Sequence, residues 1–140
     1  MESVHSKCDL GGTMTIGIVD LGISNVKSVQ NMVKKIGADA LISSNPNELA
    51  KCKKIILPGV GSFDAGVNKI REKDLLHFFA DYVSDDENQL LGICLGMQLL
   101  TCQSEEGILP GLGLVEAETI KFQKTEKNLD LKVPNMGWRE

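Results

Sequence analysis

Three features of the sequence predict an α/β fold, a layered and mostly parallel sheet flanked by helices. Short β-branched apolar segments alternate with amphipathic helical segments between residues 15 and 100. The strand-like segments are nearly continuous in apolar residues, as suits a sheet covered on both faces. Glycine and proline stand at the ends of these segments, where open α/β sheets hold ligands.

The elements follow in order. Thr15 to Asp20 (TIGIVD) reads as the first strand. Val26, Val29, Val33 and Ile36 then form one helical stripe, and Gly37 is the expected C-terminal stop. Ala40 to Ser43 is a second strand. Asn45-Pro46 opens a brief helix to about Cys52, with Asn45 as the cap and Pro46 in the first turn. Lys54 to Leu57 is a third strand, expected to break at Pro58-Gly59-Val60-Gly61. Two helices are expected over Phe63–Glu72 and Asp74–Val83. After the acidic loop at 84–88 comes the strand Gln89–Ile93, and a helix starts near Leu95 and is expected to include Cys102. Beyond Gly111 the pattern changes to short strands at Leu114-Val115, Thr119–Phe122 and Leu129–Val133, read as an antiparallel extension. The alternation before Gly111 implies right-handed crossovers between parallel strands.

The chain has 140 residues, the length of one domain. Residues 1–13 (MESVHSKCDLGGT) lack periodicity and read as a disordered leader, with the domain at 14–140. A net charge of -4, with both signs interspersed, gives no basic face for nucleic acid and no membrane patch. The longest apolar run, Leu90–Leu100, is too short to span a bilayer. With no signal-peptide plan, the expected residence is cytoplasmic. Cys8, Cys52, Cys94 and Cys102 include no C-x-x-C pair, so neither a metal site nor a cofactor motif is read here.

One cysteine stands apart. Gly92-Ile93-Cys94-Leu95-Gly96 has the form G-x-C-x-G between a strand and a helix, the thiol version of a nucleophile elbow. The turn exposes the nucleophile, and glycines two residues away permit close backbone approach. The amide of Leu95 then points where an oxyanion would form, and the helix start favours the thiolate. Cys52 and Cys102 lack flanking glycines and read as packing residues. The alternative for Cys94 is the same: a small buried hydrophobe.

GICLGMQLL, with Ser104-Glu105-Glu106-Gly107 a short way on, resembles the nucleophile segment of class I glutamine amidotransferases. Three further segments resemble the glutaminase subunits of imidazole glycerol phosphate synthase within that family: DLGISN at 20–25, LPGVGSF at 57–63 and VPNMGW at 133–138. The resemblance spans residues 15–140 and implies a flavodoxin-like layered fold, truncated at its C-terminal side. It implies that Cys94 attacks the side-chain amide of glutamine and forms a thioester. Gly59, Val60, Gly61, Leu95 and Gly96 would form the oxyanion region, and Gln98 and Glu106 would hold the substrate. Asn25, Pro134, Met136 and Trp138 would face a partner, a cyclase of (β/α)-barrel type that consumes the ammonia. No metal and no cofactor is implied.

The sequence departs from the family at Leu21, Ile23, Ser24 and Asn135, which leaves the partner and its pathway open between histidine biosynthesis and surface-sugar amidination. The family's general base is a His-x-Glu pair downstream of the tryptophan motif, and this chain carries only His5 and His77. His77 reads as a structural residue of a helix. The 140-residue chain is therefore expected to be the N-terminal part of a longer amidotransferase and inactive by itself. A non-catalytic interaction subunit with the same fold is the alternative. A cysteine hydrolase of α/β-hydrolase type would share G-x-C-x-G but would not account for PGVG or PNMGW.

Overall fold

The computed structural model of the chain describes residues 14–123. The leader at 1–13, the strand expected at 129–133, and Pro134, Asn135, Met136 and Trp138 lie outside these residues. In chain order the elements are β1 (Thr15–Val19), α1 (Val26–Lys35), β2 (Asp39–Ser43), α2 (Pro46–Leu49), β3 (Lys54–Gly59), α3 (Phe63–Glu72), α4 (Leu75–Val83), β4 (Gln89–Cys94), α5 (Leu95–Leu100), β5 (Thr101–Ser104) and β6 (Val115–Thr119).

The main sheet runs β2-β1-β3-β4, with every pairing parallel. Alternation along the strands divides the core. Ile16 and Ile18 pack with Val33 and Ala38 under α1, and Val19, Ile55 and Leu57 pack with Phe63, Phe79, Leu95 and Leu99 on the other face. Side-chain caps begin three of the helices: Asn25 accepts from the Ser28 amide at 3.2 Å, Asn45 from Asn47 at 2.9 Å, and Ser62 from Ala65 at 3.4 Å. Each such cap contributes about 1 kcal/mol.

Four details differ from the sequence-based expectations. β3 does not break at Pro58 but continues to Gly59, pairing Pro58 with Ile93 and Gly59 with Cys94. Pairing with β1 ends at Ile56, so a residue without an N–H removes no ladder bond on that side. Cys102 lies in β5 and is exposed, not in a helix, because α5 ends at Leu100. Beyond Gly111 the described residues contain one strand, β6, and it runs parallel to β5 rather than antiparallel. The fourth concerns β4. Leu91 and Ile93 lie on the α1 face and are 57% and 40% exposed, because α1 lies over β1 and β2 and no described helix covers β4 there.

Candidate active site

The site is built where β3 and β4 end side by side. Cys94 is the last residue of β4 and the residue before α5, and its backbone adopts φ 54 and ψ -117. That region is unfavourable for any residue with a Cβ and stores on the order of 1–3 kcal/mol. The turn throws the side chain out of the sheet, and Cys94 is exposed.

Both glycines of the elbow are required by contact. A Cβ at Gly96 would fall on the Leu57 carbonyl oxygen, and one at Gly92 would lie 2.6 Å from the Met97 backbone. The first turn of α5 is thereby seated directly on β3. Gly59 pairs with Cys94 in the sheet register, and a Cβ there would sit 3.2 Å from the Gly96 amide nitrogen. The loop that follows, Val60-Gly61, therefore leaves the sheet beside the thiol. Val60 is 58% exposed and Gly61 has φ 108.

Leu95 is buried, and as the first residue of α5 its N–H has no acceptor within the helix. The Val60 N–H is differently placed: it donates to the Ile23 carbonyl oxygen at 3.2 Å. Gln98 lies one helical turn after Cys94 and is half-buried, and its Oε1 is buried without a hydrogen-bond partner. The Ser24 hydroxyl, in the loop that holds Val60, is likewise buried and unpartnered. Glu106 is exposed on the turn after β5, where its amide donates to Ser104 Oγ at 3.2 Å. Asn25 is exposed at the start of α1 with its side-chain oxygen committed to the Ser28 cap.

The structure thus brings Gly59, Val60, Gly61, Leu95 and Gly96 together around Cys94 through backbone register and close packing. His77 is the one histidine among the described residues. It is exposed on α4, which packs chiefly on α3. Sequence reading missed Ile23, which acts through its carbonyl, and Asp64, whose carboxylate accepts from the amides of Ile108 and Leu109. A backbone acceptor leaves no residue-type signal, and an acid in the first turn of a helix reads only as a helix start.

Residues 17–138 match the family model for glutamine amidotransferase class-I. The chain is 49% identical over 123 residues to imidazole glycerol phosphate synthase subunit HisH 2 of Methanococcus maripaludis, covering 88% of this chain and 59% of that protein. It is 39% identical over 125 residues to the HisH 2 subunit of Pseudomonas aeruginosa, covering 89% and 60%. It is 40% identical over 125 residues to the HisH subunit of Leptospira interrogans, covering 89% and 61%. The chain therefore spans about three-fifths of the length of these curated relatives. A crystal structure of a glutamine amidotransferase superposes with a TM-score of 0.64 over 75% of this chain and 55% of that one, at 23% identity, a likeness of fold. With the family model matched over nearly all of the domain, the chain belongs to the class-I glutamine amidotransferase family.

Proposed function

We propose that this chain carries the nucleophile half of a glutaminase, the ammonia-producing subunit of an imidazole glycerol phosphate synthase. The observation that carries the reading is Cys94, held exposed at φ 54 beside Gly59, with the α5 amides opening behind it. In this reading the thiolate adds to the side-chain amide carbon of glutamine. The Leu95 N–H takes up the oxyanion, joined by the Val60 N–H once it turns away from Ile23. Collapse expels ammonia, whose third proton comes from a general acid, and leaves a glutamyl thioester. Water, deprotonated by the same group, then releases glutamate and restores the thiolate. Gln98 Oε1 is an acceptor suited to the substrate's ammonium or amide protons, and Glu106 adds a charge of the right sign for the ammonium.

The proton carrier is assigned to the family's His-x-Glu pair, in the length by which the relatives exceed this chain, and not to His77. The ammonia would pass to a cyclase of (β/α)-barrel type making imidazole glycerol phosphate and aminoimidazole-carboxamide ribotide in histidine biosynthesis. The HisH names of the relatives support that pathway over surface-sugar amidination. Asn25, Pro134, Met136 and Trp138 are proposed to face the cyclase. No cofactor or metal enters the scheme, and the setting is cytoplasmic.

The test is glutamate release from glutamine by the full-length protein, with and without the cyclase, and by the 140-residue chain. Turnover is expected from the full-length pair and almost none from the short chain. Cys94→Ala is expected to abolish release while leaving cyclase docking intact. Retention of activity by Cys94→Ala would overturn the proposal, and turnover by the short chain would overturn the assignment of the base.

A further inference from the structure

We infer that Asp64 is a positioning residue for glutamine binding, joining the loop that carries Glu106 to the helix that begins just after the oxyanion loop. The inference rests on the functional reading above, in which Glu106 holds the substrate. It adds a residue outside the segments that resemble the family's nucleophile and substrate motifs.

Asp64 stands in the first turn of α3, two residues after Ser62, which caps that helix. Its Oδ1 accepts from the Ile108 amide at 3.0 Å and from the Leu109 amide at 3.0 Å, while Oδ2 lies 3.2 Å from the same Ile108 nitrogen. These contacts span more than forty residues of sequence and tie two loops that leave different strands. One is the 60–62 segment after β3, which runs straight into α3. The other is the 105–109 segment after β5, on which Glu106 sits.

The rest of the Glu106 loop is held on its other side. The Glu105 amide donates to the Thr119 carbonyl at 2.9 Å, and the Glu105 carboxylate accepts from the Lys121 amide at 2.6 Å. The Gly107 amide donates to the Ser104 carbonyl at 3.2 Å. Leu109 packs against the core cluster that includes α3 residues, and among the described hydrogen bonds the Asp64 carboxylate is the tie from this loop to α3. A carboxylate accepting backbone amides makes charge-assisted bonds, stronger than neutral ones, and the helix start favours the negative charge.

The glycine after Glu106 has its reason in the same contact. A Cβ at Gly107 would strike the Asp64 carboxylate and lie 2.9 Å from the Phe63 ring. A side chain at residue 107 would have to share that space with the carboxylate. Glu106, the residue before it, lies two residues from the clamped Ile108 amide, and the loop preceding α3 leaves the sheet next to the Gly59–Cys94 pair.

Loss of the clamp lets the loop drift without touching the thiol or the oxyanion amides, so the effect falls on substrate binding. Asp64→Ala in the full-length protein with its cyclase is expected to raise KM for glutamine about tenfold, the scale of one lost charge-assisted bond, with kcat within about twofold. Asp64→Asn keeps an acceptor oxygen and is expected to recover most of the binding. Should Asp64→Ala fail to fold, Gly107→Ala, whose Cβ competes with the Asp64 carboxylate for the same space, carries the same expectation. A KM unchanged within twofold, or a fall in kcat without a rise in KM, would overturn the inference. Glu106→Gln is the control: if it leaves KM unchanged, or the parent protein does not hydrolyse glutamine, the functional reading has failed instead.

Discussion

The Val60 amide donates to the Ile23 carbonyl oxygen at 3.2 Å, so one N–H beside Cys94 is turned away from the thiol. The bond joins the loop after β1 to the loop after β3 and, on the proposed function, withholds a donor from the oxyanion. On that proposal the Leu95 amide serves first, and turning the Gly59–Val60 peptide brings the second donor in.

Val60→Pro removes that N–H altogether. If it serves the oxyanion after the peptide turns, kcat in the full-length protein should fall about 100-fold, the scale of one oxyanion donor. A purely structural tether would show itself as about 1 kcal/mol of lost stability with kcat nearly unchanged. Steady-state kinetics beside a denaturation midpoint separate the two.

Cys94 opposes stability to the extent that its φ of 54 is strained. Cys94→Gly should therefore abolish glutamate release yet raise unfolding free energy by about 1 kcal/mol. Cys94→Ala, which keeps a Cβ, should show no such gain. Urea unfolding of both variants at equal slope checks this, and equal midpoints would argue that the elbow is relaxed.

Gly96→Ala must displace either the first turn of α5 or the Leu57 carbonyl, because no rotamer moves a Cβ. The expected loss is about 3 kcal/mol, at the upper end for overpacking, together with loss of activity. A stable, active Gly96→Ala protein would mean that α5 does not seat on β3 as described.

Asp85 is held below the ordinary aspartate range, first by the Glu87 amide, which donates at 3.0 Å, and then by Lys53 at 3.2 Å. A folded-state value below the unfolded one adds stability above the unfolded value, and that stability is lost as pH falls through the folded one. Asp85→Asn should be slightly less stable than the parent at neutral pH and equal to it in acid below the carboxylate range. Both partners are exposed, so the difference should be small and shrink with salt. Denaturation midpoints across that range test it, and a difference that grew toward acid would contradict the assignment.

The strand and helix order, the cap at Asn45, and the elbow at Cys94 were legible because each rests on local rules: periodicity, cap chemistry, and glycines flanking a cysteine at a strand end. The G-x-C-x-G spacing even carries its own reason, since residues two away from the nucleophile are those that meet the neighbouring backbone. Pro58 misled because a proline reads as a strand end, yet its cost depends on which side of the strand is paired, and no single segment records that. Cys102 and the parallel β5–β6 pair were missed for a related reason: short apolar segments suit helix or strand alike, and direction is set by partners far along the chain.

The sequence by itself determined the alternating layered architecture, the family and the place of the strand-to-helix elbow at Cys94. Only the tertiary structure decided that Val60 donates to Ile23, that Gly96 is filled by the Leu57 carbonyl, and that Asp64 holds the loop of Glu106. The physical reason is that each of these contacts has a backbone atom on at least one side and joins segments remote in sequence. Every residue carries the same amide and carbonyl, so residue identities could not foretell them, and the packing of strands, loops and helices brought them together.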